Sequence, residues 1–349
     1  MNPHVVPSGL GMELVGVMPQ ITDHRIGELA MRNAQANRTY FGEGESIRAL
    51  RNAGVGKCNA AVVVAAGPSL HRKDFAAQLR ESGFDGAVVA TDSSMMYCLR
   101  NGIVPDLVVT IDPHAKRIVR WFGDPALTEA CLKEDDYFSR QDMDRAFADE
   151  LSHNKTVLDL IDRHGPQIRL ALSTVSPEPV VRRALESGMQ IFWWNPMMDD
   201  PDANPHGRTQ QLYELNGFPC INAGGNVGAA CWMMAGEVLG KTHVALLGMD
   251  FSYYEGTPAH ATQYYDAAVK ILGEDRIHEM FIHTHNPHLD KWFFSDPAYY
   301  WFREIFLEMA RDSDVRTYNC TEGGILFGEP VAFIPFAEFL EYWRTGRLA

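Results

Sequence analysis

Asn59-Ala-Ala-Val-Val-Val-Ala-Ala-Gly67-Pro68-Ser69-Leu70 is a short apolar run that ends in a glycine and a proline. An uninterrupted run of valine and alanine is typical of a strand that is buried on both faces of a parallel sheet. Gly67 and Pro68 indicate a tight turn, and Pro68 suits the first position of a helix. The amphipathic stretch that follows, with Phe75 and Leu79, then predicts a helix. Strand, turn and helix together are the repeating unit of an α/β fold.

The same alternation recurs along the chain. Further strands are predicted at 87–92, 106–112, 167–173, 190–194, 242–250 and 315–319, and helices at 93–100, 177–187, 225–239, 296–312 and 335–344. Strands that alternate with helices predict a parallel sheet covered on both faces. We therefore expect a Rossmann-like, three-layer α/β/α fold with a mostly parallel sheet.

Three segments depart from this alternation of strands and helices. Apolar residues at helical spacing in 22–53 predict a helical N-terminal appendage, which we assign to residues 1–54, ahead of a single domain at 55–349. Residues of about 123–166 form a charged insertion with the acidic run Glu134-Asp135-Asp136. Residues of about 251–295 form a second insertion, which is rich in histidine and tyrosine. Insertions in α/β folds usually lie over the ligand crevice.

Composition and charge exclude several classes of protein. With 349 residues and 46% hydrophobic residues, the chain is a packed globular protein and not a disordered one. Its 31 basic and 45 acidic residues give a net charge of −14, so it lacks the cationic surplus that nucleic-acid binding requires. The six cysteines are dispersed, without a CxxC pair, and there is no long apolar run. We expect a cytoplasmic protein without a membrane span; its oligomeric state stays open.

Two glycine-bearing turns open helices and are candidates for binding phosphate. In the first, Gly67, Pro68 and Ser69 follow the first strand, where backbone N–H groups and the serine hydroxyl can face an anion. In the second, Gly224, Gly225 and Asn226 precede a helix rich in small residues. Both turns can equally be ordinary strand-to-helix connections that allow close packing. Their occurrence in one sheet favours a nucleotide whose phosphates lie between them.

Three aspartates stand at the ends of apolar strands and are candidates for catalytic or ligand-binding residues. Asp92, Asp112 and Asp250 each end such a strand, and ligands of parallel sheets bind outside the carboxyl ends of the strands. These side chains could contact a sugar or hold a hydrated Mg²⁺ that bridges phosphates. An aspartate in this position can also be a simple helix cap, and Asp92 before Ser93 fits that interpretation.

The histidines of the second insertion are candidates for acid–base chemistry. His283, His285, His288 and Asp290 are close in sequence, but their spacing specifies no metal geometry and no cysteine joins them. A single histidine that acts as general acid or base is the better interpretation. His260 follows Asp250 closely, so we assign it to the same candidate site.

A set of motifs occurs in a fixed order between about residues 55 and 340. They are Ala66-Gly67-Pro68-Ser69-Leu70, Thr91-Asp92-Ser93, Gly102-Ile103-Val104-Pro105-Asp106, Ile111-Asp112-Pro113, Gly224-Gly225-Asn226-Val227, Leu247-Gly248-Met249-Asp250-Phe251-Ser252-Tyr253 and Tyr318-Asn319-Cys320-Thr321-Glu322-Gly323-Gly324. In this order they resemble the core domain of the flagellar motility accessory factors. The same core occurs in 6-hydroxymethyl-dihydropterin pyrophosphokinases, as the MptE-like domain, and it is similar to bacterial sialyltransferases.

The resemblance implies a nucleotide-dependent transferase. In the favoured interpretation it is a glycosyltransferase that moves a nonulosonic, sialic-acid-like sugar from a CMP-sugar to a protein or glycan acceptor. Asp112, Asp250 and His260 would then be catalytic, and the two glycine turns with Asp92 would bind the nucleotide. Tyr253, Thr321 and Glu322 lie in matching motifs and would contact substrate.

Two alternatives remain. The pterin enzymes transfer pyrophosphate from ATP with Mg²⁺, and in that case Asp92 and Asp112 would hold the metal. Glu322 or an aromatic residue would then contact the pterin. No cofactor is otherwise implied. The third interpretation is a nucleotide- or sugar-binding protein that retained the fold without catalysis.

Overall fold

The computed structural model describes residues 4–6, 9–134 and 150–347. Residues 135–149, with Asp135 and Asp136 of the acidic run and much of the insertion expected at 123–166, lie outside the described residues. Among those described, no helix is long and apolar enough to cross a bilayer.

Fourteen strands are present in the described part of the chain. They are β1 (Val5–Val6), β2 (Glu45–Ser46), β3 (Ala60–Val64), β4 (Ala87–Thr91), β5 (Leu107–Thr110), β6 (Arg169–Ser173), β7 (Gln190–Pro196), β8 (Cys220–Ile221), β9 (His243–Leu247), β10 (Tyr253–Tyr254), β11 (Ile282–Asn286), β12 (Lys291–Ser295), β13 (Arg316–Asn319) and β14 (Ala332–Phe333).

Ten of these strands form the main sheet. Their order is β14-β13-β9-β3-β4-β5-β6-β7-β2, with β8 beside the end of β7. Every pairing in this sheet is parallel, including β3 with β4 and β3 with β9. The Rossmann-like α/β/α prediction is therefore confirmed, because a parallel sheet of this kind requires helical crossovers on its faces.

The α-helices of the described residues connect these strands. They span Gly9–Thr22, Glu28–Ala36, Phe75–Ser82, Asp92–Arg100, Ala115–Ile118, Glu129–Glu134, Glu150–His164, Glu178–Glu186, Arg208–Asn216, Val227–Met233, Tyr265–Leu272, Pro297–Arg311 and Phe336–Arg344. Two π-helical segments, Asp23–Gly27 and Met234–Val238, continue the helices before them. The helix expected at 225–239 is thus an α-helix that changes to a π-helix at Met234.

Alternate residues of the central strands build two hydrophobic cores. On one face, Ala61 and Val63 of β3 pack in the same cluster as Trp232 and Phe306. On the other face, Val62 belongs to the cluster that contains the helices Phe75–Ser82 and Phe336–Arg344. This period of two explains why β3 consists of small and branched apolar residues throughout, since both of its faces are buried.

The N-terminal segment pairs with the rest of the chain through two short β-strands. Strand β2 pairs with β7 in the main sheet, and β1 pairs with β11. The segment expected to be a helical appendage is therefore mainly helical but also contributes two strands. The boundary at residue 54 stays a prediction.

A second, antiparallel sheet contains three strands of the insertion at 251–295, which also has helical segments at 259–261, 265–272 and 274–280. This sheet has four strands in the order β1-β11-β12-β10. Strand β11 alternates between buried Ile282, Thr284 and Asn286 and the more exposed His283 and His285. His283 and His285 of the histidine-rich stretch therefore lie in one strand of a hairpin.

Candidate functional site

A cleft of about 1030 Å³ opens at the carboxyl end of the main sheet. The chain runs from β3 to β4 on one side, while β9 pairs with β3 on the other side. The strand order therefore reverses at β3, and open α/β sheets bind their ligands at such switch points. Gly67, Asp92 and Asp250, which follow β3, β4 and β9, all line this cleft. The structure thus brings together residues that are 183 positions apart in sequence.

Asp250 is held by the turn that follows β3. The Ser69 hydroxyl donates to Asp250 Oδ2 over 2.7 Å, and the Ser69 backbone N–H lies 3.3 Å from both carboxylate oxygens. The side chain is almost fully buried. Burial raises the pKa of the Asp250 carboxyl group to about 7, although hydrogen bonds from Ser69 and the charge of Arg72 oppose part of this rise. A carboxyl group with this pKa can gain or lose a proton near neutral pH.

Glycines allow the chain to approach Asp250 closely. A Cβ atom on Gly67 would lie 2.2 Å from Asp250 Oδ2 and 2.4 Å from the Gly248 carbonyl oxygen. Gly324 has a φ of +72°, and a Cβ there would lie 2.2 Å from the Asp250 carbonyl oxygen. From the sequence, a glycine at position 67 was expected to let the backbone approach a phosphate. In the structure its lack of a side chain makes room for the aspartate.

The backbone donors of the first turn are engaged within the protein. Gly67 N–H donates to the Gly248 carbonyl oxygen over 2.9 Å, and Ser69 N–H points to Asp250. Pro68 has no N–H group, and Ser69 is fully buried. The phosphate-binding role expected for Gly67, Pro68 and Ser69 therefore has little support here, because these donors already have partners.

Asp92 and Asp112 occupy different environments in the same cleft. Asp92 is buried at the start of its helix, its Oδ1 accepts from Ser93 N–H over 2.7 Å, and burial raises its pKa to about 7. The nearby charge of Asp112 adds to this rise. Asp112 is only partly buried, and its Oδ1 lies 3.0 Å from His114 Nδ1. Asp92 thus resembles Asp250 in its electrostatics, whereas Asp112 forms a contact with a histidine.

The carboxylates do not form a preassembled metal site. Among the described residues, no three His, Cys, Asp or Glu side chains lie close enough together to hold a metal ion. Asp92 is buried and its Oδ1 accepts from Ser93 N–H, and Asp112 Oδ1 is engaged by His114. The fit of Asp92 and Asp112 to Mg²⁺ is therefore weak, and we derive no step through a metal.

The second glycine turn forms another part of the cleft lining. Gly224 and Gly225 both have positive φ, and the Asn226 side chain caps the following helix by accepting from Ala229 N–H over 2.9 Å. A Cβ on Gly225 would lie 2.8 Å from the ring of Phe302. These three residues are placed in the cleft as expected, but close packing by itself explains the glycines.

The three residues expected to contact substrate, Tyr253, Thr321 and Glu322, lie in different surroundings. Tyr253 lines the cleft, and its hydroxyl donates to buried Asp296 over 3.1 Å. Thr321 is fully buried and accepts from Met249 N–H. Glu322 pairs with Lys73 over 2.9 Å. Neither Thr321 nor Glu322 is among the described residues that line the cleft, so the structure places only Tyr253 there.

His260 does not reach the cleft. It is exposed, and its ring lies 6.4 Å from that of Tyr265. His285 lies 3.0 Å from Asp290, and His288 stacks on Phe333. Of the insertion, the cleft lining includes Tyr253, Ala261, Gln263 and Tyr264 but none of the histidines within the described chain.

Several residues that line the cleft were not predicted from the sequence. Many of them are apolar, and one basic group consists of Arg100, His114, Arg120 and His153. Asp23 and Arg25, from a π-helical segment, also contribute. No local motif marks these positions, although π-helical segments occur often at functional sites.

Comparisons with known proteins agree with this architecture. A family profile described as "6-hydroxymethylpterin diphosphokinase MptE-like" matches residues 31–122. The MptE-like resemblance is confirmed over this segment. Comparison with curated proteins found no match.

A solved structure described as a MAf glycosyltransferase from Magnetospirillum magneticum AMB-1 is similar in fold. The TM-score is 0.50 at 13% identity, over 92% of this chain and 41% of that one. The chain thus spans less than half the length of that protein. The likeness agrees with the expected relation to the accessory factors, and at this identity it concerns the fold alone.

Proposed function

We propose that the chain is a nucleotide-dependent glycosyltransferase that moves a sialic-acid-like sugar from a CMP-sugar to an acceptor. Asp250 carries this proposal, as a buried carboxyl group whose pKa is about 7 in the floor of a cleft at the switch point of the sheet. A general base works best when its pKa lies near the operating pH. The MptE-like match and the glycosyltransferase neighbour support a transferase.

In this proposal Asp250 acts on the acceptor. Its ionised carboxylate takes the proton of an acceptor hydroxyl group, and the resulting oxygen attacks the anomeric carbon of the sugar. The bond between that carbon and the phosphate oxygen breaks, and CMP leaves with the bonding electrons. Ser69 keeps the carboxylate oriented through its hydroxyl and N–H groups.

The size of the cleft also favours a large donor. Small-molecule pockets span roughly 300–1000 Å³, and this cleft reaches about 1030 Å³. A cleft of this size can hold a nucleotide-sugar and part of an acceptor.

Pyrophosphate transfer from ATP is the second candidate, favoured by the description of the matching family profile. It would require Mg²⁺, which Asp92 and Asp112 would help to hold. Their present engagements make this the weaker proposal.

Thermal unfolding with a nucleotide panel tests both proposals. We expect CMP to raise the melting temperature without Mg²⁺, since a ligand at 100 times its Kd stabilises the folded state by about 2.7 kcal/mol. CMP should also be released from CMP-N-acetylneuraminic acid. A shift with ATP and Mg²⁺ alone would favour the diphosphokinase. Binding of CMP without turnover would indicate a non-catalytic binding protein, and no shift with any nucleotide would refute both transferase proposals.

A further inference from the structure

The helix Pro297–Arg311 presents one of its faces to the cleft. Trp301, Ile305 and Glu308 all line the cleft, and they follow one another at spacings of four and three residues. Residues at these spacings lie on the same side of a helix. Trp301 and Ile305 are partly buried, whereas Glu308 is exposed. The face is therefore aromatic and aliphatic near the start of the helix and acidic toward its end.

The second glycine turn lies against the apolar part of this face. A Cβ atom on Gly225 would lie 3.1 Å from Trp301 Cζ3, and a Cβ atom on Gly224 would lie 3.5 Å from Ile305 Cγ2. Both glycines line the cleft and have positive φ. The helix face and the turn therefore form one continuous surface, which we call the Trp301 wall and which consists of these four residues.

The indole ring of Trp301 faces the cavity. Trp301 packs against the hydrophobic core beneath the main sheet and makes a tilted ring contact with Phe302, with centroids 5.3 Å apart. It nevertheless stays partly exposed and lines the cleft, so its exposed surface is turned to the cavity. Gly225, which lies beside the ring, is exposed and has no side chain to cover it. The wall thus offers a flat, apolar surface inside a concave site, which suits a planar ligand group.

The charges near the Trp301 wall favour a neutral ligand group over a phosphate. Glu308 lies one turn beyond Ile305, and Asp312, four residues further on, also lines the cleft; both carboxylates are exposed. Within the helix Pro297–Arg311, all of which is described, no basic residue lines the cleft. The end of a helix adds partial negative charge of its own. A phosphate would be repelled along this face, whereas a nucleobase is planar and uncharged.

Building on the proposed function, we infer that the nucleobase of the donor stacks on Trp301 beside the second glycine turn. Aromatic side chains bind bases in this way because every base has a π face. The floor of the cleft adjoins the turn, since a Cβ atom on Gly228 would lie 2.3 Å from the sulfur of Met249, the residue before Asp250. A base held on Trp301 therefore leaves the sugar of the donor free to reach Asp250.

Calorimetric titration of the full chain tests this inference with probes that differ in the base. CMP and cytidine carry a base, whereas ribose 5-phosphate carries the sugar phosphate without one. We expect Trp301→Ala to weaken the binding of CMP and cytidine by about tenfold or more and to leave that of ribose 5-phosphate within about twofold. Trp301→Phe keeps an aromatic face and should bind CMP within about threefold of the wild type.

Two further variants control this experiment. Trp292→Ala is the matched control, because Trp292 is an exposed tryptophan of β12 that does not line the cleft. It should bind all three probes as the wild type does. Ile305→Ala shortens the neighbouring side chain of the Trp301 wall and should weaken CMP and cytidine by about threefold. This variant keeps the test valid if Trp301→Ala fails to fold.

The outcomes separate this inference from the proposed function. If the wild type releases CMP from its donor and both alanine variants of the wall bind CMP as tightly, the inference is wrong and the function stands. If Trp301→Ala weakens ribose 5-phosphate as much as CMP, the wall does not act through the base and the inference is equally wrong. If adenosine binds through Trp301 but cytidine does not bind, the base site holds while the proposed CMP donor is wrong.

Discussion

The floor of the cleft and the hairpin of β11 and β12 both carry titratable side chains, but their surroundings differ. In the floor, Asp92 and Asp250 are buried at the carboxyl ends of parallel strands, and burial raises the pKa of each to about 7. In the hairpin, His283 and His285 alternate with buried apolar and polar residues and lie outside the cleft. Position in the fold, rather than the density of reactive side chains, therefore distinguishes the candidate site.

The largest effect is expected from Asp250→Asn. The amide keeps the shape of the side chain but cannot take a proton from an acceptor, so turnover of the CMP-sugar should fall by about 100-fold or more. Steady-state release of CMP measures this. Asp275→Asn, in an exposed segment, is the control and should retain wild-type turnover. Comparable turnover in both variants would place the chemistry elsewhere.

Gly67→Ala tests whether the backbone of Gly67 packs as closely against Asp250 as the structure shows. The new methyl group would clash with Asp250 Oδ2 and the Gly248 carbonyl oxygen, so the free energy of unfolding should fall by about 1–3 kcal/mol. Denaturant unfolding provides the measurement. Gly42→Ala is a matched control because nothing lies within 4 Å of its added Cβ. Equal stabilities of the two variants would contradict the packing described.

The raised pKa of Asp250 predicts how stability depends on pH. Between about pH 4 and pH 7 the folded state keeps a proton that the unfolded chain has lost, so the stability contributed by the neutral carboxyl group declines as pH rises through 7. Asp250→Asn removes this dependence. Its stability relative to the wild type should therefore increase from pH 5 to pH 8 in urea unfolding. A constant difference would mean that Asp250 titrates at its ordinary pKa.

The smallest effects are expected in the hairpin and its neighbourhood. His260→Gln and His285→Gln should each leave CMP release within about twofold of the wild type, since surface changes away from a site have small effects. The same assay measures both. A loss of tenfold or more in either variant would show that this region takes part in the reaction.

Much of the main sheet was predictable because its strands are continuous apolar runs. The stretch around Val62 and the aspartates that follow β4 and β9 predicted a candidate site at the carboxyl ends of the strands, and Asp92 and Asp250 both line the cleft there. The role of Ser69 was not predictable, since its partner Asp250 is 181 residues away. The contact between Arg100 and His153 likewise depends on the tertiary fold alone.

The antiparallel hairpin illustrates a signal that was present but misread. Ile282, Thr284 and Asn286 alternate with histidines, and this period of two is typical of a half-buried strand. His283 and His285 occupy the more exposed positions of this pattern, so they mark the outer face of the strand. The π-helical segments had no comparable signal, because their sequences are compatible with an ordinary α-helix.

Amide hydrogen exchange with and without CMP tests most directly which of the two regions is the site. We predict slower exchange on CMP binding in residues 65–72, 91–100, 112–122 and 222–228, which contribute to the cleft, and unchanged exchange in 282–295. Slower exchange confined to 282–295, or no change anywhere at saturating CMP, would contradict the account.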